Sequence, residues 1–99
     1  MDTQITARHF HASSKLKEFV ATRVSKLERF YDGITDARVI LSKNSSVGSG
    51  KAAEITLNVR RQSLTAQDEA QTYEEAIDRC VGRLRRHIMK YKDKGKRRI

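Results

Sequence analysis

The chain is 99 residues long, with 21 Lys or Arg against 12 Asp or Glu and a formal charge of +9, a length that supports one domain and one core. Hydrophobic residues make up 37% and charged residues 33%, which excludes wholesale disorder, and no apolar run reaches the roughly 20 residues of a membrane-spanning helix. The single cysteine, Cys80, excludes an internal disulfide framework and a Cys-rich zinc site, and the start has no basic-then-apolar leader, so the expected compartment is the cytoplasm.

Residues 4–8, Gln-Ile-Thr-Ala-Arg, read as a short first strand. Ser13 or Ser14 then offers a hydroxyl to the free N–H groups of a first helical turn. Leu16, Phe19, Val20, Val24, Leu27, Phe30 and Tyr31 recur at three- and four-residue spacing and form one stripe. Asp32-Gly33 follows, and glycine suits a left-handed helix stop. The spacing therefore predicts a helix over residues 14–31.

Two strands come next. Residues 37–42 are rich in β-branched side chains, and residues 53–60 alternate apolar and polar without a break. The intervening Asn44-Ser45-Ser46-Val47-Gly48-Ser49-Gly50 is a loop by composition. A fourth short strand is predicted over residues 63–66, after an Arg61-Gln62 turn. Thr72 with Glu75 forms a capping box for a second helix, and Glu74 and Glu75 favour the positive end of its dipole. Tyr73, Ile77, Cys80, Val81, Leu84, Ile88 and Tyr91 carry its apolar stripe, down to about residue 94. Only Gly82 interrupts it, at a position where alanine is about 1 kcal/mol better. The order is β-α-β-β-β-α, an α+β fold. Each element has one apolar side, so a single four-stranded sheet is expected with both helices packed on one face.

The charge is not spread evenly. Through residue 78 eleven basic side chains balance eleven acidic ones, whereas from residue 79 onward ten basic residues stand against Asp93 alone. A neutral body with a positive end points to a polyanion, with RNA or DNA as first candidate. On the second helix Arg79, Arg83, Arg86, Lys90 and Lys94 lie within about 80° of one another, roughly opposite the Ile77-Leu84-Ile88 stripe. At 1.5 Å per residue the row is about 22 Å long. Like charges four apart cost a few tenths of a kcal/mol per pair, so folding gains nothing from the row and a binding role is expected. A plain solvated face is the competing reading, but such faces mix signs.

On the first helix Lys15, Lys26 and Arg29 line one flank, while Arg23 falls within the apolar stripe and must extend its guanidinium outward or mark the stripe's edge. The third strand has no aromatic side chain and the helix stripes account for Phe19, Phe30, Tyr31, Tyr73 and Tyr91. A surface that reads phosphates and shape is therefore favoured over one that stacks bases.

Other constellations are weaker. Gly48-Ser49-Gly50-Lys51 lacks the first glycine and the final hydroxyl of a phosphate loop and leads into a strand. Cys80 lies on the core stripe and reads as a small hydrophobe. His9 and His11 have no matching ligands at metal-site spacing, and nothing singles out His87. No acid–base pair or nucleophilic triad stands out, so an enzyme, a cofactor, a metal and a small-molecule substrate are not expected.

Leu16-Lys17-Glu18-Phe19-Val20 with Lys26-Leu27-Glu28, and Ala76-Ile77-Asp78 through Lys90-Tyr91-Lys92-Asp93-Lys94, resemble the ribosome hibernation-promoting factor family, which includes the inhibitor also described as a sigma-54 modulation protein. The resemblance covers nearly the whole chain in the same element order. It implies a cytoplasmic protein that binds the small ribosomal subunit between head and body, occupies the messenger and tRNA path and silences translation under stress. In many members it also implies a role in forming inactive ribosome dimers. By position it implies RNA contacts at Arg23, Lys26, Arg83, Arg86, Lys90, Lys92 and Lys94; Arg79 is added from the wheel alone. The chain stops after Lys96-Arg97-Arg98-Ile99 and so resembles the short form, one ribosome-binding domain over residues 1–99, for which a separate dimerising factor is the expected partner. Arg60-Arg61 at the turn between the third and fourth strands departs from the small or neutral residues expected there and offers an added contact. From the residues alone two rivals stay open, a general double-stranded RNA-binding module and a basic interaction protein docking on an acidic protein or an anionic membrane.

Overall fold

The computed structural model describes the backbone of residues 2–44 and 50–96, with side chains through Lys92 apart from Asn44. Period-two alternation builds four strands, β1 (Asp2–Arg8), β2 (Ile34–Asn44), β3 (Gly50–Val59) and β4 (Gln62–Ala70), in the sheet order β1-β2-β3-β4. β1 and β2 are parallel, and the other two pairs are antiparallel. A parallel pair needs a crossover, which α1 (Ser14–Ser25) and a 3-10 turn (Lys26–Arg29) supply. α2 (Tyr73–Lys96) returns over the same face. The architecture is the expected α+β arrangement, a four-stranded sheet with two helices on one side.

Both helix starts use the expected hydroxyls. The Leu16 N–H donates to Ser13 Oγ and the Glu75 N–H to Thr72 Oγ1, each at 3.1 Å. Val20, Val24 and Leu27 from the first helical segment meet Val39, Leu41, Ile55 and Leu57 from the sheet and Ile77, Leu84 and Ile88 from α2, all almost fully buried. Burying each such side chain stabilises by about 1.5–3 kcal/mol. Cys80 belongs to this core. Its Sγ–H donates to the Ala53 carbonyl at 3.4 Å, and burial pushes the thiol up to about 11, so near neutral pH it is a protonated hydrophobe.

The opposite face of the sheet is mostly polar, with Ile40 and Ala52 as apolar members. Gln4, Arg38, Thr56 and Thr65 form one rung, with the two threonine hydroxyls 3.2 Å apart. In the next rung the Asn58 amide donates to Asp36 Oδ2 at 2.9 Å and Ser63 Oγ donates to Asn58 Oδ1 at 2.6 Å. Its charged residues are Arg8 and Arg38 against Asp2, Asp36, Glu54 and Glu69.

Three expectations shift. The first helix does not stay α-helical to residue 31; it tightens into the 3-10 turn after Ser25, whose hydroxyl donates to the Thr22 carbonyl at 2.9 Å. Gly33 is not a left-handed stop. It admits the Tyr31 ring, whose Cζ would stand 2.5 Å from a β-carbon there. β4 continues to Ala70, well past residue 66, because Asp68 takes an inward position that an apolar pattern does not reveal. Residues 45–49 of the composition-based loop lie outside the described residues, and Lys51 of the phosphate-loop look-alike lies within β3.

Gly82 has open space around it, with nothing within 4 Å of a would-be β-carbon. Gly82→Ala is therefore expected to raise stability by about 1 kcal/mol, read as a higher urea midpoint at unchanged slope.

Candidate nucleic-acid interface

α1 and α2 run in the same direction. Arg23 lies beside Asp78 early in α2, and Phe30 lies beside Lys92 near its end. The flank of α1 that carries Phe19, Arg23 and, in the following turn, Lys26 and Phe30 thus borders α2. On the α2 side stand Asp78, Arg85 and Lys92.

The cationic row of α2 divides in two. Arg79 and Arg83 lean onto β4, the edge strand. Arg79 Nη1 donates to the Glu69 carbonyl at 3.0 Å and its Nη2 lies 3.2 Å from Glu75 Oε1. Arg83 Nη2 pairs with Asp68 Oδ2 at 3.2 Å, and its Nη1 reaches the Gln67 carbonyl at 3.4 Å. Both therefore occupy carbonyls on a free sheet edge. The expectation that folding gains nothing from the row is corrected for these two arginines. Each keeps 52% of its side chain exposed, so a polyanion can still reach them.

Arg86 and Lys90 are exposed and carry no ion pair among the described residues. Lys26 is exposed at the start of the 3-10 turn. Arg23 takes the edge position, its guanidinium 4.8 Å above the Phe19 ring and its Nε 3.4 Å from Asp78 Oδ1. Lys92 turns inward instead. Its ammonium donates to the Phe30 carbonyl at 2.8 Å, closing the end of the 3-10 turn and tying α2 to it. The Lys94 side chain lies outside the described residues.

Residues 3–96 match the sequence family described as sigma 54 modulation protein / S30EA ribosomal protein. The chain belongs to that family. The ribosome hibernation promoting factor of Escherichia coli K12 is 32% identical over 94 residues, covering 95% of this chain and 96% of that protein. The ribosome hibernation promotion factor of Deinococcus radiodurans is 30% identical over 91 residues, which span 90% of this chain and 48% of that protein. The N-terminal domain of Thermus thermophilus protein Y superposes with a TM-score of 0.82 at 25% identity, covering 92% of this chain and 99% of that one. A ribosomal subunit interface protein from Coxiella burnetii shares the fold, with a TM-score of 0.85 at 20% identity over 94% of this chain and 99% of that one.

Two residues of this S30EA-family chain escaped the sequence argument. Arg85, 4.8 Å above the Phe30 ring, adds a cation beside Arg86; its place between stripe and row on the wheel hid it. Asp68 decides how Arg79 and Arg83 are held, and its parity with Leu64 and Ala66 along β4 is the signal that could have found it. Asp68→Asn is expected to cost about 1 kcal/mol or less. It should strengthen RNA binding by about 3-fold at low salt as Arg83 is released, while Glu75 and the Glu69 carbonyl still hold Arg79. Urea unfolding and a filter-binding titration on the same preparations check the two halves.

Proposed function

We propose that the chain is a non-enzymatic ribosome hibernation factor of the cytoplasm. The outer surface of its two helices seats on the ribosomal RNA backbone of the small subunit, between head and body. There it covers the messenger and tRNA path and holds translation off under stress. Residues 1–99 act as one ribosome-binding domain.

The observation that carries this reading is the pair Arg86 and Lys90, exposed and without carboxylate partners among the described residues, with Arg85 next to them in α2 and Arg23 and Lys26 on the helical segment that borders α2. Unpaired cations suit a polyanion, and relatives named ribosome hibernation promoting factor point to which one. A backbone-gripping surface binds through counterion release, so its affinity falls steeply with salt.

Sedimentation with purified small subunits tests the reading. Comigration at low salt that fades as salt rises is expected, together with inhibition of translation in a reconstituted system. Protein that stays at the top of the gradient at low salt refutes it. Equal affinity for any RNA duplex would favour the general double-stranded RNA module, and ribonuclease-resistant capture on acidic protein or vesicles would favour the basic interaction protein.

A further inference from the structure

The β3–β4 connection holds a second pair of cations. Val59 pairs with Gln62, leaving Arg60 and Arg61 as a two-residue turn. Such turns favour Asn-Gly, Asp-Gly or Gly-Gly, because positive φ disfavours residues with a β-carbon. Arg61 nevertheless has a φ of 74°. Both side chains are exposed, and neither has an ion pair among the described residues.

Tyr91 fixes where this tip stands. Its hydroxyl donates to the Arg60 carbonyl at 3.0 Å, and its ring meets Tyr31 edge-on at 5.5 Å. The tip is thereby fastened beside the last turns of α2, one residue along from the exposed Lys90. The helical segments on this side of the sheet both end here, so their negative dipole ends offer a purely structural reason for nearby cations. Yet the tether uses the Arg60 backbone, and neither guanidinium donates to a helix carbonyl among the described residues. Arg61, strained and with no side-chain hydrogen bond or ion pair among the described residues, is open to a partner outside the fold.

We propose that Arg60 and Arg61 form a second phosphate-binding point, which grips the RNA backbone of the small subunit beside the stretch held by Arg86 and Lys90. This rests on the ribosome-binding reading above. It adds a contact from the sheet to a surface otherwise made of helices, and it requires phosphate but no particular base.

The test is Arg60→Gly with Arg61→Gly, which keeps the Arg60 carbonyl for Tyr91 and relaxes the left-handed backbone. The expected result is an unfolding midpoint equal to or above that of the parent chain. Affinity for purified small subunits should fall by about 10- to 100-fold near 0.1 M salt, and the slope of log K against log salt should flatten by about 1.5 to 2. Arg60→Lys with Arg61→Lys, which retains the charge, should restore most of the slope. Parent-like affinity and slope in the glycine variant would overturn the proposal while leaving the ribosome-binding reading intact. A lower unfolding midpoint in that variant would assign the arginines to the helix dipoles instead. Failure of the parent chain itself to bind small subunits removes both readings.

Discussion

Arg86→Glu combined with Lys90→Glu is expected to weaken association with small ribosomal subunits by about 100-fold or more near 0.1 M salt. Each phosphate contact contributes roughly a factor of ten at that salt through counterion release, and reversal replaces two attractions by two repulsions. Neither side chain has an ion pair among the described residues, so the unfolding midpoint should move by less than the equivalent of about 0.5 kcal/mol. Quantitative sedimentation beside a urea melt measures both quantities. Unchanged affinity would take this part of α2 out of the interface. Arg83→Glu is a poorer choice, since it would set a carboxylate against Asp68, which the native arginine meets at 3.2 Å. Lost folding would then pass for lost binding.

Leu84→Ala is expected to produce the largest loss of stability. Leu84 is fully buried between α2 and the sheet, and truncating such a leucine removes its transfer free energy and leaves a cavity, for about 2–5 kcal/mol in all. A domain of this size has only about 5–15 kcal/mol in total, and each kcal/mol moves its melting temperature by about 4–8 °C. A drop of at least about 8 °C in thermal denaturation follows, the product of the lower ends of those ranges. Binding should be lost in step with the fold and return on cooling. A melt within about 2 °C of the parent would mean that α2 does not rest on the sheet through this side chain.

Much of the fold was legible because local signals agreed with one another. Alternation in β3 marked a strand with one buried face, Ser13 or Ser14 and Thr72 marked two helix starts, and the hydroxyl bonds of Ser13 and Thr72 are present. What stayed hidden depended on partners distant in the chain. The helical wheel measures angles about one axis and carries no information about what packs beside it. It grouped Arg79 and Arg83 with Arg86 and Lys90, although the return of β4 places Asp68 beside only the first pair. It gave no hint that the Lys92 ammonium reaches the Phe30 carbonyl, 62 residues earlier. Gly33 was read through its backbone freedom, whereas its use is the room it leaves for the Tyr31 ring. Tyr31 in turn titrates above its ordinary value, through its hydrogen bond to Tyr91 and partial burial.

The uncovered side of the sheet has more carboxylates than arginines, four against two, while the helices carry cations to the other side. The molecule is thus electrically polarised through its thin dimension. In the field of a nucleic acid this exerts a torque, turning the helices forward before the first collision. Encounters then begin in a productive orientation, and capture is faster than for an isotropically charged protein of the same net charge.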